Sequence, residues 1–85
     1  MAYTVIYQRP AEVALRKLPR EIQARIMRKV DQLADDPFPS GTEKLKAPVD
    51  LWRIRIGDYR VIYTVERKGL LVLVLKVGHR REVYR

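Results

Sequence analysis

From Leu51 to Val65 the chain reads LWRIRIGDYRVIYTV, with apolar side chains at every second position on either side of Gly57-Asp58. Alternation at period two predicts half-buried strands, and a two-residue Gly-Asp link predicts a tight hairpin between them. Two other stretches read as strands: YTVIY (Tyr3 to Tyr7), rich in aromatic and β-branched residues, and the apolar run from Leu70 to Val77. Between the first strand and the hairpin the period changes. Ala11, Ala14, Leu15 and Leu18 lie on one helical face behind Pro10, which suits a first helical turn. Pro19 ends that helix and opens a second, in which Ile22, Ile26, Val30 and Leu33 form the apolar stripe. The remaining faces of both helices read as solvated surface. DDPFPSG (Asp35 to Gly41) closes the second helix, and a loop containing Lys44 and Lys46 then reaches Pro48. The element order predicts an α+β fold in a single domain spanning residues 1–85. An N-terminal strand and a two-helix hairpin pack on one face of a mostly antiparallel four-stranded sheet.

Counting outward from Gly57-Asp58 sets a register. Ile56 opposes Tyr59, Arg55 opposes Arg60, Ile54 opposes Val61, Arg53 opposes Ile62 and Trp52 opposes Tyr63. Trp52, Ile54, Ile56, Tyr59, Val61 and Tyr63 then share the face that seats the helices. Arg53, Arg55 and Arg60 emerge together on the other face. Like charges directly across a strand pair repel, so an Arg55–Arg60 pair makes most sense with an anion between its members. Guanidinium forks match phosphate oxygens in paired, charge-assisted hydrogen bonds. For the second hairpin, a three-residue Arg67-Lys68-Gly69 loop with glycine in the left-handed position would set Arg60 opposite Lys76. It would also bring Gly78 and Arg80 onto the basic face, whereas a two-residue loop would bury the Lys76 charge.

Composition sharpens this picture. Eighteen Lys and Arg against ten Asp and Glu give a net charge of +8 and a pI near 10.2. Residues 1–50 hold nine basic and seven acidic side chains, and residues 51–85 hold nine and three. So basic a second half favours a polyanionic partner, nucleic acid first. There are no cysteines, which removes disulfides and thiolate metal sites and fits a reducing cytosol. The N-terminal residues lack a signal-peptide pattern, and no apolar run is long enough to span a bilayer.

The chain closes with VGHRREVYR, Val77 to Arg85. Together with GDYRVIY, this segment resembles the RelE family of toxin–antitoxin toxins, within the RelE/ParE superfamily. The resemblance extends over nearly the whole chain, from the early strand and the helical segment ending in Leu18-Pro19 to both C-terminal motifs. It implies a RelE-like microbial ribonuclease-type fold and a small endoribonuclease that cuts messenger RNA in the ribosomal A site. The implied chemistry is metal- and cofactor-free, a ribose 2′-OH attacking the adjacent phosphodiester in line. Matched by motif, the family's basic residues on the first hairpin strand fall on Arg53 and Arg55. Its turn arginine falls on Arg60, the arginine after the Val-Gly motif on Arg80, and its terminal tyrosine on Tyr84. Lys44, Lys46, Lys76 and Arg81 are expected to contact RNA around that centre. The implied partners are a cognate antitoxin, the ribosome with its messenger RNA, and operator DNA through the toxin–antitoxin complex, all in the cytoplasm.

Charge stabilisation is well provided for, since Arg60 and Arg80 can hold the negative charge of the transition state. Proton transfer is not. Arginine stays protonated at any working pH, so Arg55, where relatives often carry lysine, is a poor general base. Tyr84 is open to stacking on a base, donating a hydrogen bond or exchanging a proton. His79 falls on the face of Val77 and reads as structural. Two other functions compete: a ParE-like inhibitor of DNA gyrase on the same fold, and an RNA- or ribosome-binding module without catalysis.

Overall fold

The Gly57-Asp58 turn sets the frame of the molecule. The computed structural model describes residues 2–45 and 50–79. In it β3 (Leu51–Ile56) and β4 (Tyr59–Glu66) pair in the register counted from the sequence, Arg55 opposite Arg60. Gly57 takes φ 58°, the left-handed conformation such a turn needs at a glycine.

The chain starts with β1 (Thr4–Tyr7), followed by α1 (Arg9–Arg16) and α2 (Arg20–Asp31), which runs into a 3-10 turn at Gln32–Ala34. β5 (Leu71–His79) pairs with β4 antiparallel and with β1 parallel. The sheet has five strands, not four: Glu43–Leu45 forms a short edge strand, β2, on the outer side of β3. The order is β1-β5-β4-β3-β2, so the two helices carry the chain across one sheet face from edge to edge. α1 lies over β5, and α2 lies beside β3. Ala11 and Leu15 from α1 and Ile26 and Val30 from α2 meet Ile54, Val61, Tyr63, Val72 and Val74 in one core. Of the helix, only the stripe read from the sequence is buried. No helix among the described residues is long and apolar enough to cross a membrane.

The second hairpin departs from expectation. Its loop is four residues, Arg67 to Leu70, because Glu66 pairs with Leu71. Leu70, not Gly69, takes the left-handed conformation, at φ 53°. From Leu71 onward, simple alternation sends Val72 and Val74 into the core and would carry Lys76 in behind them. A β-bulge prevents this. Between Ile62↔Lys76 and Tyr63↔Val74 the β5 strand has one extra residue, Leu75. The bulge turns Lys76 outward and Val77 inward, sparing the fold an unpaired charge under the helices. Arg60 therefore faces Gly78 rather than Lys76, but both still lie on the arginine side.

Leu70 is 47% exposed, so little burial is lost if it is shortened. A left-handed non-glycine residue costs roughly 1–2 kcal/mol, partly offset by glycine's greater unfolded-state freedom. Leu70→Gly is expected to raise the melting temperature by a few degrees, read by circular dichroism.

Candidate functional site

On the sheet face away from the helices, Arg53 and Arg55 leave β3 and Arg60 leaves β4. All three line one cleft of about 260 Å³, with Lys29 of α2 at one side and Ser40 and Gly41 of the preceding loop at another. The cleft sits where β2 runs out: β2 pairs no further than Arg53, so residues 54–56 of β3 are left without a β2 neighbour. Arg60 is the most enclosed of the three, 8% exposed. Opposite it stands a residue with no side chain, Gly78, which leaves the guanidinium room along the strand pair. Arg55 is exposed, and its Nε donates to the Gly57 carbonyl at 3.2 Å, which ties the side chain to the turn.

One carboxylate shares this cleft. The β2–β3 pairing sets Glu43 opposite Arg53, and Arg53 Nη2 donates to Glu43 Oε2 in an ion pair. The hydrogen bond and charge of Arg53, with a smaller contribution from Arg60, hold the Glu43 carboxyl below its usual range. Glu43 is therefore an ionised acceptor among cations, and sequence reasoning missed it. Ten residues separate it from Arg53 along the chain, and only a three-residue edge strand brings the two together.

The cleft wall is fastened from the core. Tyr63 sits on the helix side, and its hydroxyl donates to the Pro37 carbonyl at 2.7 Å and approaches Thr42 Oγ1 at 3.4 Å. Phe38 packs edge-on against Trp52, ring centroids 4.7 Å apart. These contacts hold the 37–42 loop that carries Ser40 and Gly41. Burial, chiefly, pushes the Tyr63 phenol upward, so it remains a donor. Tyr63→Phe removes one buried hydrogen bond, worth about 1 kcal/mol. The expected result is a melting temperature lower by about 4–8 °C, with faster amide exchange over residues 38–42.

The other expected residues are distributed differently. Lys44 pairs across from Trp52, on the opposite face from the arginines; it bridges Asp50 at 3.1 Å and lies 5.6 Å from the Trp52 ring. Alternation along β2 gives Glu43 the arginine face and turns Lys44 away from it. Lys76 is exposed on the arginine side but does not line the cleft. His79 packs edge-on against Tyr59, centroids 5.7 Å apart, on the side that seats the helices. Lys46, Arg80, Arg81 and Tyr84 lie outside the described residues.

The fold and the family match together put the chain in one class, the small toxins of type II toxin–antitoxin systems. The family profile described as "ParE toxin of type II toxin-antitoxin system, parDE" matches residues 5–84. The chain belongs to that family, within the RelE/ParE superfamily. It is 30% identical over 86 residues to Toxin RelG of Mycobacterium tuberculosis, covering 100% of this chain and 99% of the relative. The archaeal RelE of the RelE–RelB complex from Pyrococcus horikoshii superposes with a TM-score of 0.83 at 35% identity, covering 94% of this chain and 97% of that one. The intact RelBE toxin–antitoxin complex of Escherichia coli gives 0.81 at 25% identity, covering 92% and 96%.

Proposed function

We propose that this toxin is a ribosome-dependent endoribonuclease that cuts messenger RNA in the A site and is held inactive by a RelB-like antitoxin. The observation that carries the reading is the convergence of Arg53, Arg55, Arg60 and Glu43 on one cleft. A ribose 2′-OH attacks the adjacent phosphorus, the bond to the 5′ oxygen breaks, and a 2′,3′-cyclic phosphate and a free 5′-OH result. Arg60 and Arg55 hold the non-bridging oxygens as charge gathers on them. Glu43, oriented by Arg53, accepts the 2′-OH proton. The cations that keep this carboxylate ionised also reduce its basicity, so the acceptor is present but weak. Such a centre gains most from a ribosome that fixes the message in line. Tyr84 is assigned to stack on a base or to supply the proton taken up by the departing 5′ oxygen.

The antitoxin assignment rests on relatives solved together with RelB. The pair is expected to bind its own operator, with the antitoxin making most DNA contacts. A second reading, gyrase inhibition, is favoured by the ParE description of the matching family. Pulse expression separates the two. Mapped message ends falling inside translated codons support cleavage, while intact messages with an induced DNA-damage response support the gyrase reading.

A further inference from the structure

We propose that the groove between α2 and the free edge of β3 is a second phosphate-binding site, which grips RNA backbone outside the nucleotides being cut. This inference rests on the ribonuclease reading above. The groove has a volume of about 310 Å³ and is lined by Arg25, Arg28 and Lys29 of α2, Gln32 beyond it, and Arg55 of β3. No carboxylate lines it, in contrast to the first cleft with its Glu43.

The geometry makes the two sites one track. Lys29 and Arg55 line both clefts, so a strand leaving the arginine cleft on this side passes directly between them. Arg25, Arg28 and Lys29 stand at i, i+3 and i+4, the spacing that places side chains on one helix face. The Arg25 guanidinium reaches across to the β3–β4 turn: a Cβ on Gly57 would stand 3.6 Å from Arg25 Nη2. None of these three cations is in an ion pair among the described residues. Like charges one turn apart weaken a helix, and a polyanion lying in the groove reverses that effect.

The lining also says what part of RNA is held. It contains no aromatic side chain, so it lacks the aromatic platform on which successive bases stack. Four cations and one amide supply its polar groups, beside Ile56 and Gly57 at the β3–β4 turn; they suit phosphate and sugar oxygens and carry no sequence information of their own. The source of that backbone is either the single strand flanking the cut or a paired RNA beside it.

The test measures binding rather than cleavage. Arg25→Gln/Arg28→Gln is compared with wild type by fluorescence anisotropy across a salt series. The probes are a single-stranded RNA blocked by 2′-O-methyl groups and an RNA hairpin. Both side chains are exposed and their like charges weaken the helix, so the melting temperature is expected to hold or rise slightly. Affinity at low salt is expected to fall roughly tenfold, and the slope of log affinity against log salt by about 1.4 for two lost single-strand contacts. A loss confined to the single strand identifies the flank of the cut message; a loss confined to the hairpin identifies paired RNA. Unchanged affinity and slope with both probes overturns the proposal. So does a variant that binds RNA normally yet escapes the cognate antitoxin, since the groove then serves a protein. The ribonuclease reading fails separately, if wild-type protein binds through the groove but leaves ribosome-bound messages intact.

Discussion

Arg60→Ala is expected to lower ribosome-dependent cleavage by about 10²–10³-fold, the usual cost of removing one fixed donor to a developing anion. Growth inhibition on expression should disappear with it. Arg60 is 8% exposed, so its guanidinium is enclosed by its surroundings rather than waving in solvent. That rigidity makes it useful to a transition state, because little reorganisation is needed when charge appears. Stability should change little. The substitution removes packing around the stem but also one of two like charges facing each other across β3 and β4. Single-turnover cleavage of a programmed ribosome, with a melting curve alongside, checks both halves. Full toxicity in a folded Arg60→Ala protein would remove this residue from the mechanism.

Glu43→Gln is expected to cost about 10²-fold in the chemical step, the low end for a lost general base, because this carboxylate is a weak acceptor. Its pH signature is more specific than its size. Because Arg53 holds the Glu43 carboxyl below its ordinary value, wild-type activity should persist below the usual carboxylate range. It should decline only as pH falls through the lowered value. The glutamine variant should lack that acid limb altogether. Arg53→Ala should move it upward, since the largest cause of the depression is then gone. The stability linkage has the same sign: the ion pair contributes above the ordinary carboxyl value and is lost as pH falls through the depressed one. For so exposed a carboxylate that contribution is small. An unchanged acid limb in Glu43→Gln would assign proton acceptance elsewhere.

What the sequence made readable followed from local rules. Gly57-Asp58 left one sensible turn, and counting from it set Arg55 against Arg60 and all three arginines on one face. The helical stripe from Ile22 to Leu33 could be read because its spacing is regular and its buried members are large. β2 was hidden for the opposite reason. Glu43-Lys44-Leu45 is too short and too polar to show alternation, and pairing with β3 alone makes it a strand. With β2 went Glu43, the cleft's carboxylate. Lys44, read as a loop residue, could be given no face, whereas a strand fixes one. Arg25, Arg28 and Lys29 read as an ordinary solvated helix surface. Their meeting with Arg55 depends on how α2 lies against β3, which no local pattern encodes.

The extra residue at Leu75 bears on how chains of this family are to be aligned. It divides β5 into two segments of opposite phase: even-numbered residues face the interior before it, odd-numbered ones after it. A hairpin lengthened by one residue is tolerable only when a compensating insertion or deletion falls farther along the same strand. Gaps in the two places should therefore occur as pairs among homologues, and treating each as independent would misassign every residue between them.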